Sequence, residues 1–210
     1  MEVLENHTSK EQAELIRRSI SEGMSYDEYR DLVHQLAVHG QTTGGEQLES
    51  LVNYTELNDR RMNRWDKTLK VPSEIQERIS NVNSKLTFLV LSESWCGDAA
   101  PSLPVINKIS ELNPNIDFKI VLRDENPELM DDFLTNGSRS IPKMIIWDNE
   151  EERVVEEWGP RPSIATQMVE AFKKEHGSLT SEFKQALQVW YNKDKGQNTL
   201  SDISELLPLE

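Results

Sequence analysis

Polar and apolar positions along the first third of the chain repeat with a helical period. Leu15, Ile16 and Ile20 fall on one face of a first helix. A stronger stripe follows, with Tyr29, Leu32, Val33, Leu36 and Ala37 spaced i, i+3, i+4, i+7, i+8, as in an amphipathic helix. Ser25 with Glu28 has the form of a capping box at its start, and Gly40 with Thr42-Thr43-Gly44-Gly45 punctuates its end. A third helix is predicted from about Glu46 to Trp65, with Leu48, Leu51, Val52, Met62 and Trp65 facing inward. Arg60, Arg61 and Arg64 gather on it as a basic cluster, read as a solvated helix end, with partner docking as the other reading.

From residue 67 the period changes. Thr68-Leu69-Lys70-Val71 reads as a short strand, and Pro72 to Asn81 as a helix with proline at its first turn. Leu86 to Leu91 is a continuous apolar run of strand length, the pattern of a strand covered on both faces. A helix to about Leu112, a strand over Ile116–Leu122 and a helix over Pro127–Asn136 follow. Lys143–Trp147 and Arg153–Trp158 read as two strands joined by the turn Asp148-Asn149-Glu150, and residues 162–176 as a helix on Ile164, Met168, Val169 and Phe172. The order βαβαβαββα predicts an α/β sheet with helices on both faces and an antiparallel edge. Phe183, Ala186, Leu187, Trp190 and Tyr191 mark one more helix, and Lys193–Thr199 is expected to be loose. The expected organisation is a helical extension over 1–66, an α/β domain over 67–176, and a C-terminal helix and tail over 177–210.

Charge narrows the range of partners. The 210 residues carry a formal net charge of −14. A surface this acidic repels phosphate backbones and anionic lipid, so neither a nucleic acid nor a membrane is expected as partner. No apolar run approaches the roughly 18 residues that span a bilayer. The N-terminal residues lack the basic and apolar regions of a signal peptide. With one cysteine and no export signal, a reducing cytoplasm is the expected location. None of His7, His34, His39 and His176 stands at a metal-ligand spacing from that cysteine, so no metal or cofactor is expected.

The chemistry concentrates in Ser92-Glu93-Ser94-Trp95-Cys96-Gly97-Asp98-Ala99-Ala100-Pro101. This segment places Cys96 after a buried strand, at the first turn of a helix. Unpaired backbone N–H groups and the positive end of the helix dipole favour a thiolate there, and a thiolate is the nucleophile of disulfide exchange. Asp98, two residues on, opposes that charge, so a mild depression of the thiol pKa is expected. Asp98 is otherwise read as a first-turn acid complementing the dipole.

Trp95-Cys96-Gly97 after a strand, with Ile141-Pro142 opening a later strand, resembles the thioredoxin family over roughly residues 67–176. The helical extension before a Trp-Cys-Gly-Asp-Ala segment looks like a bacterial group of thioredoxin family proteins. The resemblance implies a thioredoxin-like fold, Cys96 as the attacking thiol and a cis Ile141–Pro142 bond facing it. It implies that Trp95, Gly97, Ile141 and Pro142 bind substrate, and it matches Gly159 to the glycine that follows the family's last hairpin. Three departures stand out. Ala99 occupies the place of the second cysteine, Val90 that of the buried acid, and Asp98 adds a carboxylate. Arg139, just before the Ile-Pro pair, is placed as a modulator near Asp98 or Cys96.

These features support a monothiol oxidoreductase whose partner is a protein or a low-molecular-weight thiol or disulfide, with release of the product left to an outside thiol. The competing reading is a non-catalytic binding or adaptor module that keeps the fold and groove. An iron–sulfur carrier like the monothiol glutaredoxins fits poorly, because Cys-Gly-Asp-Ala and Asn149-Glu150 replace that group's Cys-Gly-Phe-Ser and Gly-Gly. The acidity of Cys96 separates the first two readings.

Overall fold

The computed structural model describes residues 8–208. Three helices come first, α1 (Lys10–Glu22), α2 (Tyr26–Val38) and α3 (Glu49–Thr68), followed by a shorter α4 (Ser73–Ser80). Local chemistry sets their starts. Ser9 accepts from the Gln12 N–H at 3.1 Å to cap α1. Ser25 and Glu28 form a reciprocal capping box on α2, with the Ser25 N–H donating to Glu28 at 2.7 Å.

The sheet is built from β1 (Leu86–Ser92), β2 (Ile116–Leu122), β3 (Lys143–Asp148) and β4 (Arg153–Trp158), in the order β2-β1-β3-β4. β1 runs parallel to β2 and antiparallel to β3, and β3 and β4 form the antiparallel edge. Register sets Phe88 between Phe118 and Ile146, and Val90 between Ile120 and Met144. All seven residues of β1 are buried, as its unbroken apolar run requires of a central strand with both faces covered. Helices α5 (Ala99–Glu111) and α6 (Pro127–Asp132) lie between the strands in sequence, and α7 (Ser163–His176), α8 (Ser181–Asp194) and α9 (Gln197–Leu206) follow them. The molecule is thus a mixed sheet with helices on both sides.

A single apolar core joins all three regions of the chain. Ile16, Tyr29, Val33 and Met62 from the first helices, the strands, and Leu200, Ile203 and Leu207 from the C-terminal end belong to one buried cluster. A second, smaller cluster of Trp65, Ala165, Val169, Leu187 and Tyr191 fastens α7 and α8 to α3.

Several expectations are corrected. Thr68–Val71 forms no strand: α3 continues through Thr68, and the Leu69 N–H caps it on the Trp65 carbonyl at 3.0 Å. The outer edge of β2 is met instead by Met24, which exchanges two 2.8 Å backbone hydrogen bonds with Ile120. Lys193–Thr199 is a sharp reversal into a further helix. Lys195 and Gly196 take φ of 56° and 77°, which turns α9 back to bury Leu200 and Ile203. Along α3, Met62 and Trp65 are buried as expected, but Leu48 is 53% exposed, Leu51 and Val52 are only partly buried, and the polar Thr55, Asn58 and Asp59 join the inner face. On α7 the inward position belongs to Ala165, with Ile164 exposed.

Candidate functional site

Residues 93–98 connect β1 to α5 and carry the cysteine. The buried polar face of α3 explains why this loop is fixed. Asn58 donates from Nδ2 to the carbonyls of Ser94 (2.9 Å) and Cys96 (3.1 Å). The Ser94 hydroxyl lies 2.8 Å from that of Thr55 and 3.1 Å from that of Thr42, and accepts from the Thr43 N–H at 3.0 Å. The Ser94 N–H donates to the Thr43 hydroxyl at 2.9 Å. The loop's backbone groups are thereby satisfied by side chains from α3 and from the glycine-rich turn before it.

Cys96 is 7% exposed, and its thiol donates to the Ile141 carbonyl at 3.3 Å. The Ile141–Pro142 bond is cis, as is Gly159–Pro160. Burial pushes the Cys96 thiol up to about 12, and the neighbouring Asp98 adds to the shift. The Ala99 and Asp98 N–H groups and, further off, Arg161 pull the other way without offsetting it. The expected mild depression is therefore corrected: desolvation of the sulfur outweighs the helix start. The thiol is protonated at neutral pH.

Asp98 occupies the N-cap position of α5, yet its side chain caps nothing. Its carboxylate turns to Arg161, 2.6 Å away, and accepts from the Tyr191 hydroxyl at 3.1 Å. Burial raises the Asp98 pKa, with Arg161 the chief opposing influence. Arg139 does not reach this pair; both its Nε and its Nη2 donate to Asp131, at 2.7 and 2.6 Å. Neither Arg161 nor Tyr191 was marked by the sequence as part of the site. An Arg-Pro pair soon after the final strand is a faint signal for the first, and the periodicity of α8 placed Tyr191 as a packing residue. Glu93, fully buried, holds the Asp124 N–H at 2.9 Å with one oxygen and leaves the other without a hydrogen bond. Burial raises its pKa.

Trp95, Cys96, Gly97, Asp98, Arg139 and Ile141 line one groove of about 830 Å³, which runs between α3 and α8. Pro142 is buried, and Pro160 and Arg161 stand at the groove wall. The Arg123 guanidinium lies 4.9 Å from the centre of the Trp95 ring. α8 closes the other side, with Gln188 donating to the Gly97 carbonyl at 3.1 Å. Gly159 is required where it stands: it has φ of 115°, and a Cβ there would sit 2.1 Å from the Pro142 carbonyl oxygen. Among the described residues no group of three or more His, Cys, Asp and Glu side chains is placed to hold a metal ion, and no helix is long and apolar enough to cross a membrane.

A four-stranded mixed sheet flanked by helices, with a loop cysteine set against an Ile-Pro carbonyl, defines a thioredoxin-fold protein. The thioredoxin family model matches residues 44–173, and the chain belongs to that family. The match takes in α3. A crystal structure of a protein of unknown function from Pseudomonas aeruginosa superposes with a TM-score of 0.56 at 19% identity, over 87% of this chain and 96% of that one. An HIV epitope-scaffold superposes with a TM-score of 0.54 at 18% identity, over 87% and 97%. At these identities the likeness is one of fold. No curated protein matches the chain.

Proposed function

We propose that this protein is a thioredoxin-fold binding module in which Cys96 remains a protonated thiol in the floor of the groove. The observation that carries this reading is the state of the sulfur: buried, donating to the Ile141 carbonyl, and pushed up to about 12 with the Asp98 carboxylate beside it. A thiol titrating there is about 10⁻⁵ ionised at pH 7, against about 3% for an ordinary cysteine. The more basic thiolate is the stronger nucleophile, which offsets part of that loss and leaves a net reactivity lower by about two orders of magnitude.

Thiol–disulfide exchange through Cys96 alone is the second reading, favoured by the Asp98 and Ala99 N–H groups that act on the sulfur and by its place in the groove lining. In that step the Cys96 thiolate bonds to one sulfur of a disulfide and the other leaves as a thiolate that takes up a proton. An outside thiol then has to break the mixed disulfide, because Ala99 supplies none.

Alkylation of the native protein by iodoacetamide between pH 6 and 10 tests both. The binding reading expects a rate at pH 7 about a hundredfold below that of free cysteine, rising through pH 10 without a plateau. A plateau near pH 7–8, or rapid mixed-disulfide formation with a small disulfide at neutral pH, would overturn it and leave monothiol exchange in its place.

A further inference from the structure

We propose that the groove beside Cys96 binds a small organic anion with an apolar body, its charge held by Arg61 and Lys184 from opposite walls. This rests on the binding reading above and names the class of ligand.

The charge of the groove runs against that of the chain. The sequence holds 37 acidic against 23 basic residues, yet five cationic side chains and one carboxylate, Asp98, line this groove. Most of those cations are already engaged. Arg161 is paired with Asp98, Arg139 with Asp131, and Arg123 with Asp124. Arg61 and Lys184 are different: among the described residues neither has a carboxylate within ion-pair distance. Arg61 is half-buried and its Nη1 donates to Asn58 Oδ1 at 3.1 Å, which leaves the rest of the guanidinium fork open to the groove. Burial pushes its pKa below the usual arginine value. The carboxylate that acts on Arg61, Asp98, is paired directly with Arg161. The partly desolvated guanidinium is therefore under-compensated, and a bound anion would offset that while accepting two parallel N–H bonds. Asn58, which holds Arg61 with its oxygen, holds the Cys96 carbonyl with its nitrogen, so the anion seat is coupled to the cysteine loop.

Beside the polar Ser50, Asn53, Gln185 and Gln188, the groove carries a set of apolar side chains. Leu51, Tyr54 and Leu57 line it from α3, and Leu179 and Leu187 from the other side. The volume of about 830 Å³ is that of a small-molecule site. An anionic group on Arg61 thus leaves space between the helices for a ring or an alkyl body.

Two probes that share an aromatic body separate charge from apolar contact. Fluorescence titration of the full chain with 8-anilino-1-naphthalenesulfonate is expected to saturate at one equivalent. Uncharged N-phenyl-1-naphthylamine is expected to bind at least about tenfold more weakly. R61Q is expected to weaken the sulfonate probe about tenfold, and K184Q, on the exposed flank of α8, about threefold. The melting temperature of each variant establishes that it is folded. Equal affinity for the two probes, or an R61Q variant that is folded and binds the sulfonate as the parent does, overturns the proposal. Loss of the ligand class with Cys96 still unreactive at pH 7 leaves the binding reading intact, and a reactive Cys96 with the anion site present overturns only the binding reading.

Discussion

At the scale of single residues, the site is governed by what burial does to Cys96 and Asp98, with Arg161 set against the carboxylate. Asp98 is the pivot, because its carboxylate raises the thiol pKa and is itself held by Arg161 and Tyr191. D98N removes the charge and keeps the shape. The Tyr191 hydroxyl still finds an acceptor, but Arg161, with 22% of its side chain exposed, is left without its partner. Removing one member of a buried pair costs about 3–5 kcal/mol, and the partial exposure places this case near the lower end. Urea denaturation is expected to show a loss of about 3 kcal/mol. The same substitution removes the like charge beside the thiol and frees Arg161 to act on it, so the alkylation profile of Cys96 is expected to shift to lower pH. A profile unchanged or moved to higher pH would contradict this account of the thiol. The sign for stability also follows. A thiol whose pKa is raised in the folded state favours folding fully below its ordinary value of about 8.5, and that contribution is lost as pH rises from there towards about 12. The parent protein is thus expected to lose denaturation free energy between pH 8.5 and 10, and C96A to lose less over the same interval.

At the scale of elements, what the sequence showed and what it hid have different physical origins. The capping box and apolar stripe of α2, the run of β1 and the β3–β4 hairpin are local signals, and the structure carries them where the pattern places them. The strand expected at Thr68–Val71 does not form, and what does meet the edge of β2 was hidden because it is non-local: Met24, more than forty residues from Thr68, pairs with Ile120. α9 was missed because Lys193–Thr199 is polar, and the reversal at Lys195 and Gly196 is written in backbone angles that hydropathy does not report. The inner face of α3 was misread for the opposite reason. Thr55 and Asn58 are polar yet buried, since the loop that holds the cysteine needs hydrogen-bond partners. Trp95-Cys96-Gly97 and Ile141-Pro142 were legible as a motif; the Asp98–Arg161–Tyr191 contact was not, because it joins three elements distant in sequence. Gly159 lies between these cases, found by its place after the hairpin and explained by geometry. G159A would force a residue with a Cβ into φ of 115° and put that atom 2.1 Å from the Pro142 carbonyl oxygen. A clash with backbone cannot be relieved by rotating a side chain, so equilibrium denaturation is expected to show a loss of about 4 kcal/mol or more, or no folded protein. A variant as stable as the parent would show that the β4–α7 connection and the Ile-Pro segment are not locked together.

At the scale of the whole molecule, the helices before the sheet behave as part of its core. Ile16, Tyr29, Val33 and Met62 belong to the same buried cluster as the strands, and Trp65 to the cluster that fastens α7 and α8. Thr42, Thr43, Thr55 and Asn58 spend their hydrogen-bonding groups on Ser94 and Cys96. A fragment of residues 1–66 would expose those apolar faces and leave those polar groups to water. A chain of that length is already marginal on area grounds, since a domain of about 60 residues buries only about 60% of its unfolded surface. We therefore propose that residues 1–66 do not fold alone. Circular dichroism of that fragment is expected to show weak helicity that declines without a sigmoidal transition on heating. The intact chain, with its shared core, is expected to lose near- and far-ultraviolet signals together in one transition. A fragment that melts cooperatively would make the first three helices a module in their own right. The contacts of Asn58 with the cysteine loop would then be a docking contact between two folded units, and the groove between α3 and α8 would open and close as those units moved.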